Sequence, residues 1–174
     1  MARSSGLMGT ENAAALNKAN YTALWNQLIY HEDLRLHSYP DTEGIWTIGV
    51  GHTKNVHPGQ TCTREQALKW FDEDLNLAVF DARNVVPNFL RMGEIRRAAF
   101  INLLFNLGAT RFLGFERLRL ALEELNWRRV AAEMVDSKWM TQVGRRAGDL
   151  VLQVVNDSWW VTEKRLPPRP FYLG

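Results

Sequence analysis

Between Glu32 and Arg35 the apolar residues change period, and that switch limits what this 174-residue chain can fold into. Upstream, Tyr21, Leu24, Trp25, Leu28 and Ile29 recur at three- and four-residue intervals, the stripe of one helical face. Downstream, Pro40-Asp41-Thr42-Glu43-Gly44 has the composition of a turn: proline fixes φ, aspartate bonds its own backbone and glycine accepts positive φ. The flanking segments, Arg35 to Tyr39 and Ile45 to Val50, read as the arms of a hairpin, with β-branched residues alternating at Ile48 and Val50. The first third of the chain therefore combines a helix with a small antiparallel sheet.

The remainder is helical by the same test. Thr63-Arg64-Glu65-Gln66 is a capping-box pattern with Thr63 as N-cap. Behind it Ala67, Leu68, Phe71, Leu75, Ala78 and Val79 keep helical spacing toward Arg83, with Pro87 beyond, so this helix is long enough to join two lobes. Further helices are expected over Gly93 to Phe105 (stopping near Gly108), Phe115 to Leu125, Trp127 to Val135 and Arg145 to Val155. The expected fold class is α+β: a small antiparallel β-sheet lobe joined by a long helix to a larger all-helical lobe. With 46% hydrophobic residues the chain can bury a core without disulfides or metal. One domain is expected, made of an N-terminal extension (1–20), a helix and β lobe (21–62), the connecting helix (63–86), the helical lobe (87–163) and a tail (164–174). Ala13 to Leu16 either extend the first helix or form a separate one, and Pro167-Pro168-Arg169-Pro170 is an extended tail.

Cys62 is the only cysteine, which excludes an internal disulfide and fits synthesis in a reducing compartment. Met1 to Met8 lack the apolar run of a signal peptide, and nothing approaches a membrane span, so a soluble protein without membrane insertion is expected. The net charge of +2 hides an asymmetry. Residues 1–87 hold seven Lys/Arg against ten Asp/Glu, and residues 88–174 hold fourteen against nine. A basic second half suits an anionic polymer, and a solvated helical surface explains it equally. No recognition motif accompanies the arginines, so nucleic acid is not an expected partner.

Two carboxyl groups in separable environments are the minimum equipment for cleaving a glycosidic bond. Glu32 stands four residues after Leu28, on the apolar stripe, where burial disfavours a charged carboxyl and the helix C-terminus acts in the same direction. A carboxyl kept protonated is what a general acid needs; the alternative is a frayed helix end with Glu32 in water. Asp41 in its turn stays solvated and ionised, suited to act as a base or to orient water, unless it only builds the turn. Thr47 can share a water with Asp41 through its hydroxyl, or be simply a β-branched strand residue.

Glu32, Arg35, Tyr39, Asp41, Gly44, Thr47, Gly49, Gly51 and His52 keep the spacings of Glu-x-x-Arg-x-x-x-Tyr-x-Asp-x-x-Gly-x-x-Thr-x-Gly-x-Gly-His. This resembles the active-site signature of the phage-type lysozymes, the endolysins of T-even phages and their relatives in glycoside hydrolase family 24. Phe105-Asn106-Leu107-Gly108, Gly114-Phe115, Trp127, Ser137-Lys138-Trp139 and Arg146-Ala147 extend the likeness from about Leu24 to Trp159. The resemblance implies a muramidase that hydrolyses the β-1,4 link between N-acetylmuramic acid and N-acetylglucosamine of peptidoglycan with inversion, leading to lysis of a host cell. Glu32 would be the acid, with Asp41 and Thr47 holding the water. It also implies that Arg146 holds the catalytic glutamate (with Arg145 on the surface), that His52 pairs with Asp74, and that Phe105, Asn106 and Thr53 contact substrate. Phe105 completes a helix face as well, so core packing rivals that role. Trp46 could stack on sugar or join the core.

No cofactor is implied, and a monomer is expected. A membrane-permeabilising holin would release the enzyme from the host cytoplasm to the periplasmic wall. Asp33 stands where the family usually has glycine, and so either adds a charge beside Glu32 or faces solvent. The four histidines fall into no metal-ligand spacing, but with Cys62 they make a zinc amidase of the peptide stem the arithmetic competitor. A wall-binding module without catalysis is the third reading.

Overall fold

The computed structural model describes residues 15–159. Among them run eight α-helices, one 3-10 turn and a two-stranded antiparallel sheet, the α+β composition expected. The expectations for Met1 to Met8, for Ala13 and Ala14, and for the tail from Lys164 fall outside the described residues.

Helix α1 (Lys18–Glu32) starts before the apolar stripe because Asn17 caps it, its side chain accepting the Asn20 N–H at 2.9 Å. Ala15 and Leu16 precede the cap and are buried, so this end of the expected extension belongs to the core. The helix stops at Asp33, whose φ of +65° lies in a region that a side chain with a Cβ rarely adopts. Its carboxylate accepts the Leu34 N–H at 2.8 Å, a local bond that suits aspartate to such a position, and the side chain is 75% exposed. Asp33 therefore faces solvent. Strands β1 (Arg35–Pro40) and β2 (Trp46–Gly49) pair with Tyr39 opposite Thr47, after an irregularity that follows Arg35. A bridge between His37 and Thr61 ties the following loop to the hairpin.

Helix α2 (Arg64–Val85) is capped by Thr63, which accepts the Gln66 N–H at 3.2 Å. The carboxylate that reaches back is that of Glu65, held below its usual range by its own backbone N–H and by the Thr63 hydroxyl. Ala67, Phe71, Leu75, Ala78, Val79 and Ala82 form one buried face that packs against both β2 and the next helix, which is how α2 links hairpin to helical lobe.

That next helix, α3 (Glu94–Leu107), is buried all round from Ala98 to Leu104, as a central helix must be, and Gly108 ends it at φ +76°. Then follow α4 (Ala109–Leu113), α5 (Glu116–Glu123), α6 (Trp127–Val135), α7 (Lys138–Val143) and α8 (Arg145–Asn156). Apolar periodicity does not reveal α4, α7 or the 3-10 turn Phe89–Arg91, because elements of three to six residues span too few turns to show a stripe. Phe71, Phe100, Phe112, Leu122, Met134 and Leu150 are fully buried in the core, each worth about 1.5–3 kcal/mol of apolar transfer. Helix α8 departs from this pattern. Its buried face alternates Ala147, Leu150 and Val154 with Arg146, Asp149 and Gln153.

Candidate active site

Glu32 is the last residue of α1 and Arg146 the second of α8, and Arg146 Nη2 donates to Glu32 Oε1. Their side chains are 18% and 8% exposed. Arg145 reaches instead to the Tyr30 hydroxyl at 3.2 Å, so of the adjacent arginines it is Arg146 that holds Glu32. The other carboxylate oxygen lies against bare backbone. A Cβ on Gly51 would stand 2.9 Å from Glu32 Oε2, and Gly51 has φ +73°, so glycine is required there twice over. The apolar surroundings expected of Glu32 from its stripe are not what is found: its neighbours are a cation and a glycine. Helical spacing gives the direction of a side chain at the end of α1, but α8 and the loop at Gly51 decide what covers it.

Glu32 and Asp41 open on one cleft of about 460 Å³, lined also by His31, Arg35, Tyr39, Pro40, Thr42, Val143 and Arg146. Tyr39 lines the cleft with them. Burial pushes its hydroxyl up, Glu32 and Asp41 add to this, and the Arg35 guanidinium, 4.2 Å over the ring, opposes it. Asp41 Oδ1 accepts two backbone N–H groups, from Glu43 at 2.9 Å and Ile45 at 2.8 Å, so the side chain does build its turn.

Thr47 departs from expectation. It is buried, its hydroxyl donates to the Ile45 carbonyl at 3.0 Å, and it is not among the residues that line the cleft. The same carbonyl accepts the Asp41 N–H at 2.9 Å, so Asp41 and Thr47 are tied together through Ile45.

His52 Nδ1 and Asp74 Oδ2 lie 2.7 Å apart, the pairing the resemblance implies, and Trp70 stacks on the imidazole at 4.9 Å. Burial raises Asp74 above the usual carboxylate range, and the His52 contact pulls in the opposite direction without cancelling it. Asp74, Thr53, Lys54 and Phe105 line a second depression of about 220 Å³, whose lining includes Gly51, the glycine packed against Glu32. Phe105 also packs edge-on against Phe71 with ring centres 5.6 Å apart, so it both lines this depression and joins the core. Asn106 does not join the lining of either depression. Its Oδ1 accepts the Trp139 indole N–H at 2.8 Å, because Trp139 on α7, a helix hidden from periodicity, covers it. Trp46 is half-buried at the start of β2.

Among the described residues no three His, Cys, Asp or Glu side chains gather as a metal site, and no helix is long and apolar enough to cross a membrane. Two features escaped the sequence. Arg111 on α4 pairs with Glu43 of the hairpin turn at 2.9 Å, joining the hairpin to the helical lobe. Behind Glu32, Gln27, His31, Asn102, Asp149 and Gln153 form a buried polar seam. Its signal was available in the polar positions 146, 149 and 153, which interrupt an otherwise apolar stripe.

A capped helix delivering a carboxyl to a hairpin beside a helical lobe is the lysozyme-like α+β architecture. A family model described as phage lysozyme matches residues 30–153, and the chain belongs to that family. It is 27% identical over 162 residues to probable T4-type lysozyme 1 of Dictyostelium discoideum, covering 75% of this chain and 92% of the relative. With the endolysin of Salmonella phage P22 it shares 34% identity over 95 residues, 51% of this chain and 62% of that one. The peptidoglycan hydrolase gp36 of Pseudomonas phage phiKMV is 29% identical over 146 residues, 80% of this chain but 16% of the longer relative.

Proposed function

We propose that this chain is a muramidase that hydrolyses the β-1,4 bond between N-acetylmuramic acid and N-acetylglucosamine in bacterial peptidoglycan. The observation that carries the reading is Glu32, gripped by Arg146 and opening on the same cleft as Asp41. Glu32 transfers its proton to the leaving glycosidic oxygen as the C1–O bond breaks. A water attacks C1 from the opposite face and gives its proton to Asp41, so the new hydroxyl has inverted configuration. A carboxyl separation of about 6.5–9.5 Å accompanies that stereochemistry. The Thr47 hydroxyl, which donates to the Ile45 carbonyl that also accepts the Asp41 N–H, serves the water indirectly by holding Asp41. Gly51, Thr53 and Phe105, beside Lys54 and Asp74, give the glycan an apolar ring with polar groups around it, which suits a sugar. Arg146 and the His52–Asp74 pair act as supports, and Asn106 acts through Trp139.

The partner is thus a peptidoglycan strand met by a single domain acting as a monomer. The names of the phage relatives support an endolysin; release from host cytoplasm to periplasm by a holin completes this reading. The test is lysis of chloroform-treated Gram-negative cells by wild type, Glu32→Gln and Asp41→Asn, with new reducing ends assayed. Both variants should lose lysis, and unimpaired lysis by Glu32→Gln would end the assignment. Lysis that EDTA abolishes, without new reducing ends, would favour the amidase instead.

A further inference from the structure

The polar seam behind Glu32 has a direction, and that direction starts at a main-chain carbonyl. The carbonyl of Ile95 can only accept, so Gln153 presents Nε2 to it at 2.8 Å. Gln153 Oε1 must then accept Gln27 Nε2 at 2.9 Å, and Gln27 Oε1 must accept Asn102 Nδ2 at 2.9 Å. This fixes which end of the Asn102 amide faces His31: Nδ2, 3.4 Å from His31 Nδ1. An amide N–H needs an acceptor, so His31 Nδ1 carries no proton and Nε2 carries it. Nε2 in turn faces the Asp149 carboxylate at 3.6 Å.

Asp149 lies three residues after Arg146 on α8, the spacing at which an arginine and an aspartate on one helix face meet. Arg146 has a donor to spare, since its buried Nε finds no hydrogen-bond acceptor. Arg146 bonds Glu32, with Asp149 one turn further along its own helix face. His31, whose side chain is only 4% exposed, stands beside Asp149 and lines the cleft with Glu32 and Arg146.

We infer that His31, held as its Nε2–H tautomer by the relay from Ile95, is a positioning residue: by directing that N–H at Asp149 it leaves Arg146 to Glu32. The inference rests on Glu32 being the acid of the proposed reaction. His31 faces Arg146 and Asp149 from α8, Asn102 from α3, and its neighbours Tyr30 and Glu32 on α1. Burial, and then the Arg146 cation, press it toward the neutral form that the tautomer requires.

Two measurements test this. In ¹⁵N NMR of the whole wild-type chain at neutral pH, His31 should show an unprotonated Nδ1 and a protonated Nε2. The reverse tautomer, or an imidazolium, overturns the inference whatever the enzyme activity. Reducing-end kinetics on peptidoglycan then compare His31→Leu, His31→Gln and His31→Leu/Asp149→Asn. The single Leu variant should lose about tenfold or more in kcat with KM little changed, because the acid is misplaced rather than the glycan released. Glutamine, able to accept from Asn102 and donate to Asp149, should recover most of that loss. So should the double variant, whose neutral amide no longer competes for Arg146. A folded double variant as slow as the single one overturns the inference, since a merely structural histidine would not be rescued by a second change in the core. Wild type that releases no reducing ends would instead sink the functional reading and leave the tautomer result standing.

Discussion

Asp41 and Ile45 are bonded to each other twice: the Ile45 N–H donates to Asp41 Oδ1 at 2.8 Å, and the Asp41 N–H donates to the Ile45 carbonyl at 2.9 Å. One aspartate thus both shapes the hairpin turn and presents a carboxylate to the cleft, and the two tasks separate by substitution. Asp41→Asn keeps an acceptor oxygen for the turn, so its Tm should stay near wild type while kcat falls by about 10²- to 10⁴-fold. Asp41→Ala loses the turn bonds as well and should cost a further ~1–2 kcal/mol of stability. Calorimetry beside reducing-end assays reads both. Equal Tm losses in the two variants would show that the charge, not the acceptor, holds the turn.

At Gly51 a methyl group meets the Glu32 carboxylate, and the backbone sits at φ +73°. Gly51→Ala should therefore cost about 1–3 kcal/mol in stability and should also displace Glu32, lowering kcat. Urea unfolding and activity assays check this. An alanine variant with wild-type kcat would mean that Glu32 yields without consequence.

The pH dependence of stability carries the mark of His31. Burial and the Arg146 cation lower its pKa from 6.5 to about 3. A depressed value in the folded state means that the unfolded chain binds the proton first. The contribution of His31 is therefore whole above pH 6.5 and is lost as pH falls toward 3. Over that window the unfolding free energy should drop by about 1.4 kcal/mol per pH unit on this account alone. His31→Gln should show a shallower slope than wild type in urea titrations between pH 6.5 and 4. Identical slopes would show that His31 titrates as in the open chain.

Arg96 joins α3 to the end of α8. Its guanidinium donates to the Val154 carbonyl at 2.8 Å, contacts Asp157 at 3.1 Å, and lies 4.2 Å over the Trp127 ring. Arg96→Met keeps the aliphatic stem and removes these contacts together with the hydrogen bond to the Val155 carbonyl. It should lower stability by about 2–3 kcal/mol while leaving kcat of the folded enzyme unchanged, because none of these atoms reaches the cleft. Chemical denaturation with kinetics at low temperature separates the two.

The order of helix, hairpin, connecting helix and helical lobe was legible in the sequence because each signal is local. Turn composition at Pro40 to Gly44, the cap at Thr63 and the stripe from Ala67 to Val79 need no partner to declare themselves. The spacing of Glu32, Asp41 and Thr47 was likewise written in one short segment. Their surroundings were not. Arg146 meets Glu32 across 114 residues of chain, Trp139 claims Asn106, and Thr47 turns its hydroxyl to Ile45.

Periodicity reports which way a side chain leaves its own element, and only packing decides what it meets there. For that reason nothing local pairs Gln27 with Asn102 and Gln153 until three helices close over them, where burial favours the hydrogen bonds that link the three amides. The chain's local chemistry determined that it would carry a helix-end carboxyl beside a turn. The tertiary fold decided that a cation, a glycine and a buried polar relay would hold that carboxyl in place, because groups so far apart in sequence interact only once the core has brought them within a few ångströms.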